Sequence, residues 1–226
     1  MFLVIDTALE KAFVLLIQSD GNFFMRENTN TRDHARFVPT AIQELCEESN
    51  SELNQLQGVV VVNGPGSYTG LRVGLSSAKG ICFALEKPLY TLSTLEVMAS
   101  AGWRLAEEKG IAINDNTLVC PMIDARRMEV FTGLYPKSLS PARKPFALIA
   151  DADKLRELSG NATLIFTGNG VEKLQSILPP RSISFPGWVY DVADLVRMSS
   201  RKISEGIVAN LAYSEPLYIK DFYQAS

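Results

Sequence analysis

A run of valines, GVVVV (58–62), passes directly into NGPGSYTGLRVGLSSAKG (63–80), and this junction limits the possible folds more than any other stretch. The run is too short and too β-branched for a helix, and being apolar on both faces it suits an interior strand covered on both sides. Glycines and a proline at its end require a tight turn, and residues from about Gly70 to Leu85 then read as a helix. Strand, turn and helix in that order make the building unit of an α/β domain.

The glycines invite comparison with phosphate-binding loops. A P-loop needs GxxxxGK[ST], but the spacing from Gly64 to Gly70 is one residue too long and Leu71-Arg72 stands where Lys-Ser/Thr should be. The dinucleotide pattern GxGxxG fails at Thr69. A looser role remains, in which Gly64, Gly66, Ser67 and Thr69 meet an anion or a carbonyl at a helix N-terminus. The plainer reading makes Ser67 or Thr69 the N-cap.

Within the helix, Gly70, Gly74, Ser77, Ala78 and Ile81 recur at three- and four-residue steps. Glycine inside a helix costs about 1 kcal/mol relative to alanine, and Gly74 and Gly80 both carry that cost. The small-residue stripe is therefore read as room for another backbone. The other sides hold Leu71, Val73, Leu75, Cys82, Phe83 and Leu85, leaving Arg72 and Lys79 as the charges. A helix so apolar should be buried nearly all round, here between its own sheet and a partner subunit.

The remaining chain alternates in the same way. FLVID (2–6), AFVLLIQ (12–18) and NFFMREN (22–28) read as strands, with Asp20-Gly21 as a hairpin turn. A helix runs from His34 to Glu48 with Asp33 as its cap and Pro39 in its early turns. A strand over 89–92 and a helix from Thr94 complete the first half. TLVCPMID (117–124), MEVFTGLY (128–135), FALIA (146–150) and TLIFTGNG (163–170) are the strands of the second, with Pro136–Pro145 irregular, Asp151 capping a short helix, and another helix over 191–206. Ile5-Asp6-Thr7 parallels Ile123-Asp124-Ala125, and VVVVNGPG parallels LIFTGNG, in the same order. These parallels predict a duplicated α/β domain with mixed sheets, divided as 1–98 and 99–212, followed by a tail over 213–226.

The chain has 226 residues and a net charge of −3, a balance unlike that of an autonomous nucleic-acid binder. Cys46, Cys82 and Cys120 are widely spaced in apolar stretches and read as reduced core residues. The start lacks a basic region and a long apolar core, and no run of about 18 apolar residues occurs, so a cytoplasmic protein without a membrane span is expected. Asp6 and Asp124 end strands, where α/β folds place ligand groups, or else each caps its own turn. Glu10 and Glu129 follow nearby, and Arg126-Arg127 can hold an anion or pair with Asp124. His34 is the sole histidine and reads as a surface or interface residue, so no nucleophile–base constellation is visible and no metal site is expected.

Read in order, IDTALEKAFVLL, DHARFVP, VVVVNGPGSYTGLRVGLSSAKGICFAL, STLEVMA, PMIDARRMEVFTGLY, TGNGV and PLYIKDF resemble the TsaB (YeaZ) family along almost the whole chain. The resemblance implies an actin-like, sugar-kinase-like fold of two similar subdomains. It implies a non-catalytic subunit for threonylcarbamoylation of adenosine beside the tRNA anticodon, working with a homologous TsaD transferase and the TsaE ATPase. ATP or ADP and a metal then belong to those partners, tRNA is met only through the complex, and no cofactor is held by this chain alone. The family's dimer and TsaD contacts use its first two helices, which here places an interface at His34, Phe37, Val38, Ala41, Gly70, Leu71, Gly74, Leu75, Ser77, Ala78 and Ile81. Asp6 and Thr7 fall where the fold's first phosphate-binding turn lies, with Asp124 and Arg126 as further nucleotide-proximal positions, but that turn's glycine is missing. The competing reading is an independent ATPase or kinase of the same fold; a peptidase is a weaker third, lacking a nucleophile–base pair.

Overall fold

The computed structural model of the chain describes residues 1–30 and 33–219. Ten strands and five helices follow in the order β1 (Phe2–Asp6), β2 (Ala12–Ile17), β3 (Phe23–Asn28), α1 (His34–Glu48), β4 (Gly58–Gly64), α2 (Tyr68–Leu85), β5 (Leu89–Ser93), α3 (Thr94–Glu108), β6 (Thr117–Asp124), β7 (Glu129–Leu134), β8 (Arg143–Ile149), α4 (Ala152–Ser159), β9 (Thr163–Gly168), β10 (Ile183–Pro186) and α5 (Val192–Glu205), among the described residues. Short 3₁₀ stretches lie at Leu53–Gln55 and Glu172–Ile177.

Each half forms one mixed five-stranded sheet. The first has the order β3-β2-β1-β4-β5 and the second β8-β7-β6-β9-β10. In both, three antiparallel strands open the sheet and two parallel strands extend it: β1 pairs antiparallel with β2 and parallel with β4, as β6 does with β7 and β9. The correspondence β1/β6, β2/β7, β3/β8, β4/β9, β5/β10 is complete, so the duplicated mixed-sheet α/β fold read from the sequence is present. Asp6 and Asp124 end equivalent strands. Gly64 and Gly168, ending β4 and β9, share the left-handed φ of 117° and 112° that a side chain rarely adopts.

The valine run behaves as its composition demands. Val59, Val60, Val61 and Val62 are all fully buried in β4, between β1 and β5. One core cluster joins Leu3, Ile5, Val14, Leu16, Val59 and Val61 to Val38, Leu45, Leu75 and Ala78 from α1 and α2. A separate cluster fills the second unit around Cys120, Met122, Leu164 and Phe166, with Leu155 from α4.

Some expectations change. Pro145 lies inside β8, because β8 is an edge strand, where a residue without an N–H leaves no ladder bond unmade. β10 carries no hydrophobic alternation strong enough to mark it and exists through its pairing with β9. Asp33 holds the N-cap position of α1 without a side-chain cap bond, whereas Asp151 caps α4 by accepting from the Lys154 N–H at 2.8 Å. The chain divides into Met1–Thr94 with Leu195–Leu217, and Leu95–Asp194 with 218–219, not at 98 and 212. Residues 206–217 return to the first unit, where the Ala209 N–H donates to the Leu89 carbonyl and the Leu217 N–H to the Asn63 carbonyl. Lys79 on α2 donates to the carbonyls of Ala212 and Ser214, each at 3.1 Å. The part of the expected tail from 220 onward lies outside the described residues.

Candidate functional site

The loop that suggested a phosphate cradle is filled by the chain itself. The Ser67 N–H donates to the Ala8 carbonyl at 2.7 Å, and the Ser67 hydroxyl accepts from the Gly70 N–H as the N-cap of α2. A Cβ on Gly66 would stand 2.2 Å from the Ala8 oxygen, and one on Gly70 would stand 2.1 Å from the Thr7 oxygen. The β1–β2 turn thus lies across the N-terminus of α2 and uses donors that an anion would need. Thr7 closes the contact, its hydroxyl donating to the Gly70 carbonyl at 2.7 Å in a fully buried setting.

This packing corrects the reading of the small stripe. A Cβ on Gly74 would meet Thr7 Oγ1 at 2.4 Å and Ile5 Cγ2 at 3.5 Å. The room made by Gly70 and Gly74 is occupied by β1 and its turn within the same unit, not by another protein. Of the positions expected at an interface, His34, Val38, Ala41, Gly70, Leu71, Gly74, Leu75 and Ala78 are buried inside the first unit; Phe37, Ser77 and Ile81 are half-buried. Periodicity marked the small stripe on α2 but not what covers it.

The opposite face is the uncovered one. Thr69, Arg72, Ser76, Gly80, Phe83 and Ala84 follow one another at helical spacing and are exposed, with half-buried Val73 beside them. Phe83 is 79% exposed, and nothing lies within 4 Å of a Cβ built on Gly80. The helix is therefore not buried all round within its own unit. Arg72 stacks on the Tyr68 ring at 4.0 Å. A groove of about 900 Å³ opens beside α1 and α2, with Pro39, Ile42, Cys46, Leu53 and Ile81 among its lining.

The two strand-end aspartates have the same local job. Asp6 Oδ1 accepts from the Ala8 N–H at 3.0 Å, and Asp124 Oδ1 accepts from the Arg126 N–H at 2.8 Å. Each fixes the turn after its strand, as aspartate commonly does. Asp6 is fully buried. Asp124 also receives the Lys173 ammonium, which in turn donates to the Glu129 carbonyl at 2.7 Å. Partial burial acts to raise the Asp124 pKa, but Lys173 and the Arg126 amide outweigh it and hold the carboxyl below its ordinary value. Arg126 sits near enough to add to this field, yet no ion pair joins the two side chains.

His34 is 4% exposed at the first position of α1, not a surface residue. Its ring nitrogens make no hydrogen bond of good geometry, and the nearby Leu9 backbone offsets only part of the burial effect, so its pKa is lowered. Among the described residues no hydroxyl, thiol or carboxylate is hydrogen-bonded to it. Burial pushes the Cys82 thiol up to about 11 and Cys120 up to about 12, and raises Cys46 as well. Core thiols of this kind carry almost no nucleophilic thiolate at neutral pH. Among the described residues no group of three His, Cys, Asp or Glu side chains is placed to hold a metal, and no helix is long and apolar enough to cross a membrane.

An ion-pair centre in the second unit escaped the sequence reading. Arg104 on α3 makes two bonds to the buried Asp194, at 2.9 and 2.8 Å, and one each to Asp191 and Glu108. Asp191 and Asp194 also cap each other's backbone N–H groups at the start of α5. Asp191 and Asp194 are 87 and 90 residues from Arg104 in sequence, beyond any local pattern.

Comparison with known proteins adds an independent line. The family profile described as "TsaD: tRNA N6-adenosine threonylcarbamoyltransferase" matches residues 28–214. The chain is similar to the tRNA threonylcarbamoyladenosine biosynthesis protein TsaB of Escherichia coli, with 25% identity over 97% of this chain and 94% of that protein. It is 31% identical to the protein of the same name from Bacillus subtilis, over 59% of this chain and 54% of that one. In structure it is similar to a Pseudomonas aeruginosa protein described as resembling the peptidase YeaZ. There the TM-score is 0.77 at 23% identity, covering 97% of this chain and 99% of that chain.

Proposed function

Since the chain belongs to the TsaD family, and within its relatives is of the TsaB (YeaZ) kind, we propose that it takes part in tRNA threonylcarbamoyladenosine biosynthesis as a non-catalytic scaffold subunit. It works beside a TsaD-like transferase and a TsaE-like ATPase, which supply the nucleotide and metal chemistry, and it meets tRNA through that assembly. The single observation that carries this reading is the two-sidedness of α2: one face is locked onto Thr7 by glycines, and the other presents bare Gly80, Ala84, Val73 and the exposed Phe83. Exposed apolar side chains around a position without a side chain suit close approach of a partner helix. The homologous transferase subunit and a second copy of this chain compete for that face.

The groups available for catalysis are otherwise engaged. Asp6 and Asp124 brace turns, Lys173 neutralises Asp124, His34 is buried without a catalytic partner, and the α2 N-terminus is closed by Ala8 and Thr7. A phosphate that took the Ser67 N–H would have to displace the Ala8 carbonyl. These features argue against the independent ATPase or kinase and against a histidine-dependent peptidase.

Reconstitution tests the proposal. With the transferase, the ATPase and a threonylcarbamoyl-adenylate supply, tRNA is modified only when this chain is added, and Gly80→Leu yields a folded chain that neither associates nor supports modification. Full modification without the chain refutes the scaffold role. Tight ATP binding and turnover by the chain alone would restore the enzymatic reading.

A further inference from the structure

The β6–β7 turn has a shape that its residues do not favour. Arg126 and Arg127 are both left-handed, with φ of 72° and 49°. Left-handed backbone of this kind is taken readily by Gly and more easily by Asn or Asp than by a long side chain. Side chains with a Cβ cost on the order of 1 kcal/mol or more at each such position. Packing does not offset this cost, because both arginines are exposed. Neither side chain makes a hydrogen bond, ion pair or ring contact among the described residues.

The backbone beneath them is firmly held. The Ala125 N–H donates to the Glu129 carbonyl at 3.0 Å, and the Glu129 N–H donates to the Arg126 carbonyl at 3.1 Å. Behind the turn, the Asp124 N–H donates to Asn169 Oδ1 at 3.0 Å, and Lys173 binds both the Asp124 carboxylate and the Glu129 carbonyl. Lys173 already matches the Asp124 charge, and the two guanidinium groups beside it form the sole Arg-Arg pair in a chain of net charge −3. Guanidinium forks bind phosphate oxygens bidentately, and a rigid turn presents two of them without further ordering.

We infer that the Arg126-Arg127 turn is a contact for the phosphodiester backbone of RNA, holding tRNA in the assembled complex. The inference rests on the tRNA-modification reading above. The chain as a whole is slightly acidic, so a polyanion is attracted by such local positive groups and not by the chain's net charge. Met128 and Ile149 are exposed next to it, at 41% and 63%, and a protein partner is the alternative occupant that the test must separate.

The test uses the full chain assembled with its transferase and ATPase partners, labelled tRNA, and anisotropy titrations over a salt series. R126Q/R127Q is expected to assemble normally and to bind tRNA about tenfold more weakly. Its log–log salt slope should be flatter by about 1.5, the value for two lost phosphate contacts. R126K/R127K should keep the wild-type slope. Unchanged affinity and slope in R126Q/R127Q overturn the inference alone. Loss of assembly overturns it in favour of a protein contact, and a wild-type assembly that does not bind tRNA removes the tRNA reading together with it.

Discussion

The same substitution should have opposite effects at two places on α2. At Gly70, an alanine Cβ would lie 2.1 Å from the Thr7 carbonyl oxygen, more than 1 Å inside normal contact, and its neighbour is backbone that cannot rotate away. The β1–β2 turn must lift, at an overpacking cost of about 1–3 kcal/mol, and the buried Thr7–Gly70 hydrogen bond, worth about 1 kcal/mol, is lost with it. Gly70→Ala should therefore destabilise by about 2–4 kcal/mol. At Gly80 nothing lies within 4 Å and the backbone is helical, so Gly80→Ala should stabilise by up to about 1 kcal/mol through helix propensity. In a chain of this length each kcal/mol moves Tm by about 2–4 °C. Urea midpoints at constant m, with calorimetric Tm, read both effects on the isolated chain. A neutral Gly70→Ala, or a destabilising Gly80→Ala in a monomer, refutes the assignment of inner and outer faces.

Further outcomes follow from the other buried polar groups. His34 has a lowered pKa in the folded state, so the unfolded chain binds its proton more readily; its contribution is intact above about pH 6.5 and fades as pH falls toward the lowered value. His34→Leu should flatten the fall of Tm between neutral and mildly acidic pH, and an unchanged fall would exclude His34 as its source. Arg104→Met removes both guanidinium bonds to the buried Asp194 carboxylate and should cost about 3 kcal/mol, measured by denaturant unfolding; a loss under about 1 kcal/mol would place this pair with ordinary surface ion pairs. Lys79→Met removes the bonds to the Ala212 and Ser214 carbonyls and should speed amide exchange across 209–217 with little change elsewhere; unaltered protection there would show that the backbone bonds at Ala209 and Leu217 suffice.

Local chemistry determined much of this protein. The valine run, the turn glycines, the Ser67 and Asp151 caps and the alternation of strands with helices were written in short stretches whose backbone preferences act over a few residues. The repeated Ile-Asp and strand-glycine pairs announced the duplication, which the two sheets reproduce strand for strand. Charge balance spoke against an autonomous nucleic-acid binder, and a single histidine ruled out a site built on paired histidines. Tertiary structure decided what each face and charge meets. Gly70 and Gly74 look alike from sequence whether their space is taken by Thr7 or by another protein, because a missing Cβ records close approach without naming the neighbour. Asp124 reads as a ligand group until Lys173, 49 residues away, neutralises it, and Arg104 shows its role only once α5 returns. Pairings between distant residues have no local signature, since the backbone between them carries no trace of where its ends meet. The stretch NGPGSYTGLRVGLSSAKG thus specified a strand, a turn and a helix apolar nearly all round; only the folded chain showed which face is spent on its own core and which stays open.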